Sequence, residues 1–238
     1  IAMIQSINFK STNQYKPETN PAQEEPQKRG FVRKKAVKAA AITGSALTTL
    51  GYLALLSKNQ HKGPLQFKNL FKVDFSSALK AIGLATSATV GGLAGGLIAD
   101  TKDTRKAKLK EGMHQFLGNI ITPISIVGIA TSMIEKRKLP RTKELLYTGL
   151  AAIGGVGLGV TAGNKVASKV NEVIFKEDDT RKVKAKDFGI HVDDIMTWLA
   201  LTAKTDVIKN FISKALPVVF LICGYEAGTC DGHGHKKH

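Results

Sequence analysis

Two clusters of titratable side chains are the strongest candidates for chemistry in this chain. In the first, His191, Asp193 and Asp194 open an apolar segment, and at helical spacing His191 and Asp194 share a face with Trp198. Ionisable side chains inside a membrane are costly and tend to mark routes for ions, so this cluster predicts a cation or proton pathway. The competing interpretation is that the two acids cap the first turn of a helix.

The second cluster lies in a glycine-containing C-terminal tail, residues 226–238, that we expect to be flexible. It holds four candidate metal ligands: Cys230, His233, His235 and His238. These side chains suit Zn²⁺, Ni²⁺ or Cu²⁺, although such tails also bind divalent metal adventitiously. The sequence has no phosphate-binding loop and no nucleophile turn, so we expect a protein that is not an enzyme and has no cofactor.

An internal repeat connects the first cluster to a second histidine. The tetrapeptide DTRK at 103–106 recurs at 179–182, and a histidine follows each copy, at His114 and His191. A glycine-rich apolar run precedes each copy, which predicts a duplicated helix-loop-helix unit over residues of about 78–134 and 145–203. The two acids beside His191 have apolar residues at the aligned positions of the first copy. The predicted ion pathway therefore contains His191, Asp194 and His114 without being symmetric.

Long apolar runs are the elements that must position these residues. Four of them contain 19 to 21 residues each: Ala36–Leu56, Ala81–Ala99, Phe116–Ile134 and Leu145–Asn164. Two further segments, 195–203 and 211–225, are shorter or interrupted by Lys214 and Pro217. A helix of about 20 apolar residues crosses a hydrocarbon core of roughly 30 Å. The sequence predicts an all-α polytopic helical membrane protein with four firm spans and up to two marginal ones.

The predicted membrane domain covers residues 36–225. Residues 1–35 precede it and are polar and proline-containing, so we expect a disordered tail. Within the third run, Asn119 and Pro123 indicate either a kink near a cavity or polar and proline residues that the span tolerates.

Glycines recur at intervals of four in two of the runs. They are Gly91, Gly92, Gly95 and Gly96 in the second run, and Gly155, Gly159 and Gly163 in the fourth. Small residues at this spacing let membrane helices approach closely, which predicts tight packing within the chain or between copies in a homo-oligomer.

The net charge of +16 comes from 35 Lys and Arg against 19 Asp and Glu, placed mainly between the apolar runs. This distribution predicts binding to anionic lipid headgroups, with Arg105, Lys106, Arg181 and Lys182 as the candidate contacts. It slightly favours a cytoplasmic N-terminus. The basic loops lack interleaved aromatic residues, so we do not expect nucleic acid as a partner.

Three hypotheses for function follow from the sequence. The first is a non-enzymatic scaffold or envelope-associated membrane protein that packs or oligomerises through its glycine-rich helices. The second is a small transporter or channel for a cation or proton. The third is a soluble helical protein whose basic loops bind nucleic acid, and a mean hydropathy of −0.05 keeps it open.

Overall fold

A computed structural model describes residues 21–61, 66–176, 196–200 and 206–230, with side chains from Val32 onward. Residues 196–200 are helical. The other helices, in chain order, are α1 (Pro21–His61), α2 (Phe67–Leu70), α3 (Ala78–Ala99), α4 (Lys102–Met113), a π-helix (His114–Ile121), α5 (Thr122–Lys136), α6 (Arg141–Phe175) and α7 (Asp206–Thr229). No strand occurs within these ranges.

Five of the helical stretches are long and apolar enough to cross a membrane, and each contains an 18-residue window with a mean hydropathy of 1.5 to 1.7. They are Val32–His61 of α1, Ala78–Ala99, the continuous stretch Lys102–Lys136, Arg141–Phe175 and Asp206–Thr229. The chain is therefore an all-α polytopic helical membrane protein, which confirms the predicted fold class. Each of the four firm spans lies in one of these stretches, and the marginal segment 211–225 lies in α7.

The helical part extends beyond the predicted membrane domain at both sides. α1 begins at Pro21, inside the region expected to be a disordered tail, and α7 continues to Thr229. Proline suits the first position of a helix, and the Gln, Glu, Lys and Arg residues that follow it are good helix formers. The duplicated unit stays a prediction, because much of its second copy falls outside the described residues.

The helices form a bundle with two distinguishable ends. Arg33 of α1 bonds Asp100 at the end of α3, so these two helices are antiparallel. α7 runs parallel to α3, with Gly224 opposite Gly92 and Gly228 opposite Gly96. The Arg33 end therefore holds the start of the apolar span of α1, the ends of α3 and α7, and the start of α4. The opposite end, the His61 end, holds the end of α1 and the starts of α3 and α7.

α6 packs antiparallel to the α4–π–α5 stretch on the other side of the bundle. Asn164 of α6 contacts His114, and Gly155 lies beside Val127 of α5. The largest apolar core lies between α1, α3 and α7, where Leu53, Leu84 and Phe220 are almost completely buried. This core fixes the helices that carry the polar groups described next.

Candidate functional site: glycine contacts and a buried polar network

The glycines of α3 lie in backbone contact with helices on two sides. A Cβ added to Gly92 would lie 2.7 Å from Gly224 Cα of α7, and one added to Gly96 would lie 2.7 Å from Gly228 Cα. On the other side Gly91 faces Gly44 of α1, and Gly95 faces Ala40. α3 is thus held between α1 and α7 with no room for side chains at these four positions.

The glycines that contact α3, Gly44, Gly224 and Gly228, were not predicted from the sequence. Gly224 and Gly228 are four residues apart, so the spacing that identified the α3 glycines was present in α7 as well. Gly44 has no glycine four residues before or after it on α1 and so carries no such signal. Its role is visible only once α1 and α3 are placed together.

The glycine ladder of α6 packs on the π-helix and on α5. Cβ atoms at Gly155, Gly159 and Gly163 would meet Val127 Cγ2 at 3.0 Å, Pro123 Cα at 2.5 Å and Leu117 O at 2.5 Å, respectively. Two other glycines of the same helix, Gly154 and Gly157, have nothing within 4 Å of an added Cβ. The structure therefore uses the ladder for contact inside one chain and leaves a second glycine face open.

His114 is buried between the π-helix and α6, where 2% of its surface is exposed. Its Nδ1 lies 3.0 Å from Asn164 Oδ1, and Asn164 Nδ2 donates to the carbonyl of Val160 at 2.8 Å. Because the amide nitrogen is used as a donor, Oδ1 is the acceptor for the imidazole. Nδ1 of His114 is therefore the donor in its bond to Asn164.

The segment around His114 is a π-helix because the chain changes its hydrogen-bond register before Pro123. Thr122 N–H and Thr122 Oγ1 both donate to Leu117 O, five residues earlier, the hydroxyl at 2.7 Å. Pro123 has no N–H to donate, so an α-helical bond to Asn119 is absent at this point. π-helical turns occur often at functional sites. Asn119 and Pro123, for which the sequence left a kink or tolerated span residues open, thus lie in and just after a π-helical segment of the span.

Gln115 links two carboxylates from different helices. Its side chain is buried, and Nε2 donates to Glu111 Oε1 at 3.0 Å and to Glu226 Oε2 of α7 at 3.2 Å. Gln115 Oε1 accepts from Asn119 Nδ2 at 2.9 Å. These polar side chains and the His114–Asn164 pair occupy neighbouring turns near the Arg33 end, and together we call them the buried polar network.

A charged cluster closes the same end of the bundle. Asp100 follows α3 and accepts from Arg33 Nε at 3.0 Å, while its second oxygen lies 3.0 Å from Lys108 Nζ. Lys108 is fully buried and also donates to the carbonyl of Cys230 at 2.7 Å. This Asp100 cluster joins α1, α3 and α4 to the end of α7.

The environment of Asp100 decides its protonation. Burial alone raises the pKa of the carboxyl group, but hydrogen bonds from Arg33, Thr104, the Thr101 N–H and Lys108 outweigh it. Together they hold the pKa of Asp100 well below its usual range. The side chain is therefore ionised at neutral pH and compensates part of the positive charge gathered at this end.

The remaining predicted site residues divide into two groups. Arg105 and Lys106 lie on α4 at the Arg33 end, and Lys106 Nζ is 5.8 Å from the centre of the Phe175 ring of α6. Seven others lie outside the described residues: Arg181, Lys182, His191, Asp194, His233, His235 and His238. Within the described ranges no group of three or more His, Cys, Asp or Glu side chains is placed to hold a metal ion.

Comparison of the chain with family models, with curated proteins and with solved structures finds no match. The class of the protein, a polytopic helical membrane protein, rests on its own apolar helices and their packing.

Proposed function

We propose that this chain is a non-enzymatic membrane scaffold whose glycine-rich helices build a closely packed platform for basic segments at the membrane surface. The observation that supports this function is the backbone contact of α3 with both α1 and α7. Because of these contacts, both glycine faces of α3 are covered by helices of the same chain. Such contacts replace the hydrophobic driving force that is missing between helices in lipid. Association between copies would use a different surface, such as the open face of α6 with Gly154 and Gly157.

The platform presents positive charge to lipid headgroups. Lys34, Lys102 and Arg105 are exposed at the Arg33 end, where the apolar span of α1 begins and the chain passes from α3 to α4. Each basic residue near an anionic membrane surface contributes about 1 kcal/mol to attraction. We place this end on the cytoplasmic side, with anionic lipid as the partner.

The lipid contact can be tested with a charge-preserving control. We expect the double variant Arg105→Gln, Lys106→Gln to retain fewer phosphatidylglycerol molecules than the parent protein after purification, as counted by native mass spectrometry. The double variant Arg105→Lys, Lys106→Arg keeps both charges and should retain the parent number. If both variants retain the same number of phosphatidylglycerol molecules, α4 is not part of the lipid-binding surface.

A second function, conduction of a proton or small cation, is favoured by the buried polar network. Titratable side chains are rare inside helical membrane proteins and usually belong to pathways. His114, Glu111 and Glu226 come together from the α4–π stretch and α7, with Gln115 and Asn164 as their amide partners. His191 and Asp194, the other predicted pathway residues, lie outside the described residues.

Flux measurements separate the two functions. In proteoliposomes loaded with a pH-sensitive dye, a transporter gives proton flux that is lost in His114→Leu and kept in His61→Leu. His61 is an exposed histidine at the other end of the bundle and serves as the matched control. Absence of flux from the parent protein, with carbonate-resistant membrane insertion, would reject conduction and leave the scaffold.

A further inference from the structure

The connection between α1 and α3 at the His61 end has one face in the core and one face outside. Leu70, Val73 and Phe75 are at most 8% exposed and belong to the main apolar core. Phe67, at the start of α2, is 74% exposed. A large aromatic side chain thus points outward from a segment in which Leu70, Val73 and Phe75 are buried and Phe71 is partly buried.

The connection is fixed at several points. Gln60 of α1 donates to the carbonyl of Asp74 at 3.2 Å and accepts from the Asp74 N–H at 2.9 Å. Ser213 Oγ of α7 donates to the carbonyl of Phe71 at 2.6 Å. The outward direction of Phe67 is therefore set by a segment anchored on two membrane-spanning helices.

The Phe67 ring also has a defined neighbour. It lies edge-on to the Phe71 ring, with centroids 5.6 Å apart and an interplanar angle of 71°. Pairs of this geometry are stabilising beyond the area that they bury. Lys68 and Lys72 follow the two phenylalanines directly in the sequence and are both exposed.

We propose that Phe67 inserts into the bilayer interface at the His61 end, with Lys68 and Lys72 bound to phosphates of anionic headgroups. α1 ends at His61 and α3 begins at Ala78, so the segment lies at the level where the spans leave the hydrocarbon. At this level an exposed aromatic ring can lie among the acyl chains while neighbouring basic side chains reach the headgroups. This inference depends on the membrane fold and holds for either function proposed above.

Depth-dependent quenching tests the insertion. Trp198 is the single tryptophan of the chain, so Phe67→Trp in a Trp198→Phe background gives one reporter. In nanodiscs of phosphatidylcholine and phosphatidylglycerol, we expect greater loss of fluorescence with bromines at carbons 6 and 7 than at carbons 11 and 12. Arg137→Trp in the same background, in an exposed turn after α5, should be quenched less by both lipids.

Emission of the Phe67→Trp reporter at the wavelength of water-exposed tryptophan, with no quenching by either lipid, would overturn the proposal. If the Trp198→Phe background does not fold, a nitroxide can be attached to Phe67→Cys with Trp198 in place, in a background in which the free cysteines Cys223 and Cys230 are replaced by alanine. Its collision rate should then be higher with oxygen than with a water-soluble nickel complex. Lys68→Gln with Lys72→Gln should remove the dependence of quenching on phosphatidylglycerol; an unchanged dependence would reject the headgroup contact.

Discussion

Replacement of Gly159 by alanine tests whether the glycine ladder of α6 stabilises the bundle. A Cβ at this position would lie 2.5 Å from Pro123 Cα, whereas ordinary contact begins at 3.4 Å. α6 and α5 must therefore separate by about 0.9 Å at this point, because both atoms belong to or adjoin the backbone. Forcing an extra methyl group into a packed site typically costs about 1 to 3 kcal/mol.

Gly157→Ala is the matched control, since it lies on the same helix with nothing within 4 Å. Both substitutions share the gain in helix propensity of up to about 1 kcal/mol, so this gain cancels in the comparison. We expect Gly159→Ala to unfold with a free energy about 1 to 3 kcal/mol lower than that of Gly157→Ala. The measurement is unfolding in mixed dodecyl maltoside and SDS micelles, followed by circular dichroism at 222 nm. Equal unfolding free energies for the two variants would refute the packing role.

The polar contacts give three further expectations. Asp100→Asn leaves the buried Lys108 without its carboxylate partner and should lower the unfolding free energy by about 3 to 5 kcal/mol in the same micelle assay. Asp103→Asn is the control, and a smaller loss for Asp100→Asn than for this control would contradict the expectation. The pKa of Asp100 is lower in the folded protein than in the unfolded chain, so the ionised carboxylate stabilises the fold fully at pH values above its ordinary pKa of about 3.9. This stabilisation decreases as the pH falls below that value. In this acidic range the parent protein should therefore lose unfolding free energy more steeply than Asp100→Asn does. Asn164→Leu removes the acceptor of His114 and should cost about 1 to 3 kcal/mol, with a changed His114 tautomer in nitrogen NMR spectra; an unchanged tautomer would show that another group orients the ring.

The spans could be predicted from the sequence because hydropathy and length are local properties. Each firm span needed only about 20 neighbouring apolar residues, and all four coincide with spanning helices. α7 was harder, since Lys214 and Pro217 interrupt its apolar run although Pro217 is buried in the helix. The structure shows that α7 is one continuous helix of 24 residues, and that its glycines contact α3.

The polar contacts could not be predicted, because they join residues that are distant in the sequence. Arg33 and Asp100 are 67 positions apart, and Gln115 and Glu226 are 111 positions apart. No periodicity relates such pairs, and each acid taken alone resembles an ordinary charge near a helix end. His114 was singled out only through its repeat partner, and its bond to Asn164 depends on how α6 packs.

The Asp100 cluster also has a consequence for topology reporters fused to the two ends of the helical bundle. Arg33 and Cys230 both bind to its members, so the apolar span of α1 begins and α7 ends at the same end of the bundle. A reporter placed before Arg33 and one placed after Cys230 will be found in the same compartment. During insertion, paired helices can enter the bilayer as hairpins from that face, without moving either flanking basic segment across the hydrocarbon.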